Sequence, residues 1–176
     1  NQGTKLILDG YYDSNNDGTI DYMEYGSNCT LCTMINEESF INWISNNNEN
    51  DKNKLVSTTW YRGDYFERGD NYKDNLESTN NPYEGKVGLI RVGEMLSGQS
   101  ETILSKSHTV SNSDNNAQNY WTSTPYSASN AWLVTYYGFA NINDVAYTYG
   151  VRPVVMISSD VTITGGNGTP NSPYQI

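Results

Sequence analysis

Residues 120–157 read YWTSTPYSASNAWLVTYYGFANINDVAYTYGVRPVVMI, the longest part of the chain that alternates as paired strands do. Across residues 131–137, Trp132, Val134 and Tyr136 fall on one face and Leu133, Thr135 and Tyr137 on the other, the period of two that a strand requires. Residues 138–140 supply a turn. Residues 141–149 then place Ile142, Ala146 and Thr148 opposite Val145, Tyr147 and Tyr149, so the two segments predict a hairpin. Gly150 breaks the run. Residues 151–157 are almost continuously apolar, which predicts a strand covered on both faces at the centre of the core, with Pro153 near its start.

Within this stretch, Trp121-Thr122-Ser123, Asn130-Ala131-Trp132 and Gly150-Val151-Arg152-Pro153-Val154 resemble the end of C-type-lectin-like domains in bacterial surface proteins. The tail, SDVTITGGNGT at 159–169 with NSPY at 171–174, is similar to the closing segment of uncharacterised Gram-positive surface and prepilin-like proteins. Gly88 through Leu96 resembles the strand-into-helix element that precedes the hairpin in those proteins. The resemblance covers roughly the last half of the chain. It implies an α+β, C-type-lectin-like fold in which short helices pack on a mainly antiparallel sheet with long loops. It also implies an extracellular place on a bacterial cell surface and a secretion signal or pilin-type helix ahead of Asn1. On the ligand it is silent.

The 176 residues predict a single domain, 1–176, large enough to bury a core without staples. With a formal charge of -10 and only 10 Lys and Arg, not gathered into a basic run, the chain repels phosphate, so nucleic acid and anionic membrane surfaces are poor partners. No apolar run approaches the ~18 residues that a membrane span needs, and no signal-peptide core is present, so membrane insertion is not expected of these residues. Tyrosine supplies 15 of the aromatic residues against 3 Phe, and Asn occurs in tracts such as 46–50. Together those two residue types make wet, adaptable contact surfaces; a compositional bias of the coding sequence accounts for them equally well.

The sharpest chemical signal lies at residues 13–24, DSNNDGTIDYME, which fits the twelve-residue EF-hand-type calcium loop at every diagnostic position. A hard divalent cation takes six or seven oxygens. Asp13, Asn15 and Asp17 offer them from alternate positions, Thr19 through its carbonyl, Asp21 through water and Glu24 with both carboxylate oxygens. Gly18 lets the backbone turn sharply, and Ile20 anchors the loop on neighbouring structure. An acidic, Asn/Gly-rich Asx turn without metal uses similar residues, but such a turn has no need of Glu24. No amphipathic helix precedes Asp13 and no second loop is evident, so the expectation is one solitary structural calcium site of the weak extracellular kind.

Cys29-Thr30-Leu31-Cys32 is half a zinc site, a redox pair or a local disulfide. There is no second CxxC or His pair for zinc and no βαβ context for thioredoxin-like chemistry, which favours a mutual disulfide stapling a tight turn. Residues 35–45 predict the clearest helix, with Asn36 as N-cap and Phe40, Ile41, Trp43 and Ile44 along one stripe. Residues 46–54 read as a polar loop and 55–61 as a short strand, while 5–12 read as an edge strand. Residues 62–85 are acidic, aromatic and without period, a long excursion loop; Asp64, Glu67, Asp70 and Asp74 fit no metal template and read as solvated carboxylates. Residues 100–119 form a second polar loop that holds the only histidine, His108.

That lone histidine has no nucleophile motif beside it, and GxSxG, HExxH and a phosphate loop are all missing, so an enzyme is not expected. The C-terminal pattern distantly resembles formylglycine-generating enzymes, which use cysteines and a metal, but here the cysteines stand far upstream. The leading expectation is a calcium-stabilised, adhesin-like binding module on a bacterial surface or pilus. Its partner would be a protein or glycan on another cell or host surface, or another pilus subunit. The display face would draw on Tyr126, Asn130, Trp132, Tyr136, Tyr137, Phe139, Asn141, Asn143, Tyr147 and Tyr149, about half of which strand alternation must turn inward. A variable display protein of a diversity-generating retroelement and a structural pilus-tip subunit are the alternatives. Calcium-mediated sugar binding would need a Glu-Pro-Asn or Gln-Pro-Asp triplet, and neither occurs.

Overall fold

A computed structural model describes residues 4–8, 10–97, 118–136, 138–167, 172 and 175. The elements follow in the order β1 (Thr4–Ile7), β2 (Met23–Glu24), α1 (Thr30–Met34), α2 (Glu38–Ile44), α3 (Glu49–Lys54), β3 (Thr58–Tyr61), α4 (Tyr72–Glu77), β4 (Pro82–Gly85), β5 (Val87–Gly88), α5 (Val92–Leu96), β6 (Tyr120–Pro125), β7 (Asn130–Val134), β8 (Ala140–Asp144), β9 (Thr148–Tyr149) and β10 (Val154–Ile157). The fold is α+β: five short helices among the described residues, and strand pairs that are antiparallel.

The apolar run after Gly150 becomes β10, the middle strand of the order β1-β10-β5. Its registers are Lys5 with Met156 and Leu6 with Val155 on one side, and Val154 with Gly88 on the other. Pro153 stands just ahead of it, where its carbonyl accepts the Leu8 N–H at 2.9 Å and its missing donor costs no ladder bond. Gly88 is the close-approach point of this sheet, because a Cβ there would overlap the Trp60 ring. Gly88→Ala is expected to cost about 1–3 kcal/mol as an overpacking change, read as a lowered urea midpoint.

The second sheet runs β6-β7-β8. β7 carries the alternation read from its sequence: Ala131 and Leu133 enter one apolar cluster with Phe40, Trp121 and Val155, while Trp132 and Val134 enter two others. The hairpin is shorter than its pattern. The first strand ends at Val134 instead of 137, and the second ends at Asp144 instead of 149. Asp144 ends it by accepting the Ala146 N–H at 2.9 Å on its own carboxylate, an Asx turn that frees Thr148 and Tyr149 to pair with Glu24 and Met23. β6 is a strand that periodicity does not reveal, since Thr122, Ser123 and Thr124 are buried. Their hydroxyls have internal partners, among them the Trp132 carbonyl for Thr122 and the Val92 N–H for Thr124.

Three further expectations need correction. The helix read at 35–45 is shorter than its pattern: α2 spans Glu38–Ile44, preceded by Glu37, while Ile35 closes the separate helix α1. Asn36 caps neither; its amide donates to the Cys32 and Val87 carbonyls and accepts the Val87 N–H at 3.0 Å, tying α1 to β5. The polar stretch before Leu55 holds α3, begun by the Asn48 side chain accepting the Asn50 N–H and laced by Lys52–Glu49 and Lys54–Asp51 ion pairs. The excursion at 62–85 holds α4 and β4. Buried Asn75 of α4 accepts the Gly93 N–H at 2.9 Å, and Arg91 caps the helix end through the carbonyls of Asn75, Leu76 and Ser78. The loop read at 100–119, with His108, lies outside the described residues but for its last two.

Candidate functional site

Two neighbouring features carry the sites read from the sequence: the turn at residues 13–24 and the surface around β8. The turn follows the path its composition predicts. Gly18 has φ +85° and Asn16 φ +54°, left-handed positions that the Gly and Asn tolerate. Asp13 accepts the Gly18 N–H at 2.9 Å and the Asp17 N–H at 3.3 Å, and Asn15 accepts the Asp17 N–H at 3.1 Å. Asp17 accepts the Thr19 N–H at 2.7 Å, and Asp21 accepts the Ser14 N–H at 2.6 Å. The Thr19 bond, with help from the Asn15 amide, holds the Asp17 carboxyl below the usual range, so it stays ionised.

Ile20 is buried beside Tyr11, Trp60 and Tyr120, as its place in the loop predicts, and the Asp21 N–H reaches the Tyr12 carbonyl at 2.9 Å. Glu24 is exposed on β2 opposite Thr148. The donor set is all oxygen and mostly anionic, which suits a hard divalent cation. Among the described residues, no three His, Cys, Asp or Glu side chains come together so as to hold a metal ion.

Directly after the turn, Cys29 and Cys32 form the disulfide read from their spacing. Cys29 has φ +59° and immediately precedes α1, so the bond staples a helix start instead of a free turn. Both cysteines are buried among Tyr25, Leu31 and Ile35.

The ten residues of the expected display face divide as the pleat demands. Trp132 is buried, donating its indole N–H to the Phe66 carbonyl at 2.7 Å, so it is a core residue and not a displayed one. Tyr126 is half-buried against it, with ring centroids 6.0 Å apart. Asn130 is half-buried, its carbonyl accepting the Tyr126 N–H at 2.9 Å and its side chain binding Ser127 and Ser129. Asn143 and Tyr149 are half-buried and bonded to one another. Tyr137 lies outside the described residues. Tyr136, Phe139, Asn141 and Tyr147 are exposed, Phe139 at 69% and Tyr147 at 59%. The first two stand at the turn that enters β8 and the last just beyond the strand, which is the outer strand of its sheet.

Beside the far end of β8 opens a cleft of about 380 Å³, lined among others by Tyr25, Arg62, Asp64, Tyr65, Ser127 and Val145. Burial pushes the Tyr25 phenol up to about 12 against the pull of the Arg62 guanidinium, so the hydroxyl stays protonated and donates to the Ser123 carbonyl at 2.8 Å. Sequence reasoning did not find this cleft. Its walls come from segments that share no period, and the one available signal was tyrosine density in the segment 61–72. The chain matches no protein-family model, no curated protein and no solved structure.

Proposed function

We propose that the chain is a calcium-stabilised, extracellular binding module of C-type-lectin-like form, displayed on a bacterial surface or pilus, that contacts a protein or glycan on another cell. The observation that carries this reading is the exposed aromatic set Tyr136, Phe139 and Tyr147, placed at both ends of the outer strand β8. Large apolar side chains held in water on a rigid sheet cost solubility and suit a contact surface, where aromatic residues provide area at little entropic cost. The rest of the frame supports such a role. β7 is locked on both faces, so β8, the outer strand among the described residues, is held in place. The disulfide agrees with an oxidising compartment, where such bonds persist.

Calcium enters the same reading through Asp13, Asn15, Asp17, the Thr19 carbonyl, Asp21 and Glu24, which would hold the ion and fix the N-terminal segment against β9. No residue is assigned a catalytic part. A glycan and protein array, probed with calcium and with chelator, tests the proposal. Wild-type protein is expected to give a saturable signal, and a Phe139→Ser, Tyr147→Ser double variant to lose at least about tenfold of it, as aromatic hot spots do. Both positions are exposed, so the unfolding midpoint should stay within about 0.5 kcal/mol of wild type. An array with no wild-type signal, or with a signal the double variant retains, overturns the reading.

A further inference from the structure

The chain contains the triplet Arg-Gly-Asp twice, at residues 62–64 and 68–70, and these use two of its four arginines. The fold treats the copies differently. In the first, Arg62 is half-buried with its guanidinium beside the Tyr25 hydroxyl, and Gly63 is buried. Its backbone is tied down as well: the Arg62 and Gly63 N–H groups donate to the Asn81 and Asn80 carbonyls at 3.3 and 3.2 Å, and the Asn81 amide donates to the Gly63 carbonyl at 2.7 Å. That copy is part of the cleft wall.

In the second copy all three residues are exposed. The Asp70 N–H donates to the Glu67 carbonyl at 3.2 Å, closing a four-residue turn whose tip is Arg68 and Gly69. Gly69 has φ +97°, and a Cβ built there would meet nothing within 4 Å, so the tip stands in open solvent. The Asp70 carboxylate accepts the Glu67 N–H at 2.7 Å on one oxygen, which holds the group in place. The Arg68 guanidinium donates to the Asn141 side chain at 3.1 Å across an exposed gap to β8. Below the turn, Phe66 is fixed by its N–H bond to the Pro125 carbonyl at 3.1 Å and by its ring against Trp132, and Asn71 caps α4. Of the four arginines Arg68 alone is exposed.

We infer that the turn at residues 67–70 presents Arg68-Gly69-Asp70 to an adhesion receptor that supplies a divalent cation for the Asp70 carboxylate and an acidic pocket for the Arg68 guanidinium. This inference rests on the binding-module reading and names its class of partner. A carboxylate is a hard oxygen donor that completes the coordination of a bound magnesium, manganese or calcium ion. The planar guanidinium pairs with carboxylates in a two-pronged geometry that lysine cannot match. Anchoring at both ends of the turn removes much of the ordering cost that a free peptide would bear. Integrin-class receptors are built on this chemistry.

The test measures binding of the whole chain to an immobilised integrin ectodomain preparation that takes linear Arg-Gly-Asp peptide, in millimolar magnesium with calcium held constant. Wild-type protein is expected to bind and to be displaced by that peptide. Asp70→Glu, which keeps the charge but moves the carboxylate, and Arg68→Lys should each weaken binding at least about tenfold. Asp64 is itself exposed and accepts the Asn80 amide, but its Arg62 and Gly63 are held in the cleft wall, so Asp64→Glu should bind as wild type does. Unfolding curves of all three variants control for folding. No wild-type binding, undiminished binding by Asp70→Glu, or equal loss in Asp64→Glu would overturn the inference. If array binding through Phe139 and Tyr147 persists in Asp70→Glu while receptor binding never occurs, this inference fails and the module reading stands.

Discussion

Trp121→Ala should lower the unfolding free energy by about 3–5 kcal/mol, the range for truncating a large aromatic side chain in a packed core. Trp121 is fully buried in the cluster that joins Val87, Val155 and Ile157 of one main sheet to Ala131 and Leu133 of the other; its backbone N–H donates to the Gly150 carbonyl at 3.2 Å and its register partner on β7 is Leu133. Tyr25 and Tyr149 pack on its ring, at centroid distances of 5.6 and 5.0 Å. Its indole N–H donates to the Met23 carbonyl at 2.9 Å. Alanine therefore leaves a cavity between two tyrosines and a carbonyl on β2 without its donor. Against a net stability of about 5–15 kcal/mol for a domain, that loss removes about a fifth at the least and nearly all of it at the most.

Trp121→Phe separates the two contributions, because it keeps most of the ring volume and deletes the donor. A cost of about 1–2 kcal/mol is expected for it, near the value of one buried hydrogen bond plus a small void. Both variants are read by urea titration followed by far-ultraviolet circular dichroism, a probe that does not depend on tryptophan emission. A loss below about 1 kcal/mol for Trp121→Ala would mean that the ring is not the packing centre that its burial implies.

How much of this was visible beforehand depends on whether a residue's neighbours were local. β7 and β10 were legible because their partners lie on both faces, and such strands declare themselves by period or by an unbroken apolar run. β6 was not, because Thr122, Ser123 and Thr124 satisfy their hydroxyls with groups that only the folded chain brings near, and polar residues in a row read as loop. Asn36 carried a helix-cap signature, but a backbone strand 51 residues away offered it more hydrogen bonds than the helix start did. Helices α3 and α4 carry little apolar stripe; short ion pairs and an Asn cap hold the first, and Asn75 and Arg91 the second. The turn at 13–24 was the most local feature of all, twelve consecutive residues, and Gly18 takes the left-handed backbone that its place in the turn asks for. The cleft was least legible, since Tyr25, Arg62, Ser127 and Val145 meet only after both sheets are in place.

Calcium should raise the unfolding midpoint by about 5–10 °C at 10 mM. A solitary extracellular site with an affinity of roughly 0.1 mM is then about a hundredfold saturated, which is worth about 2.7 kcal/mol. A domain of this length moves about 2–4 °C per kcal/mol. The gain reaches beyond the turn because Glu24 and Met23 pair with Thr148 and Tyr149, and Met23 also holds the Trp121 indole. Neutralising a chain of formal charge -10 would stabilise it slightly with any salt, so the comparison is made at fixed ionic strength and against magnesium. Magnesium demands a tighter octahedral shell and should give far less.

Glu24→Gln leaves β2 pairing possible but withdraws the anionic oxygens of the twelfth position, and should abolish most of the calcium increment while changing the calcium-free midpoint little. The increment should also vanish as pH falls below about 4, where carboxylates protonate and release the ion. The folded-state value of Asp17 is depressed by the Thr19 N–H, so the stability tied to it is present at neutral pH and is lost only as pH falls through that lowered value. Wild type and Glu24→Gln showing the same midpoint with and without 10 mM calcium would take the ion out of the proposed function and leave residues 13–24 as an Asx-rich turn held by its own backbone bonds.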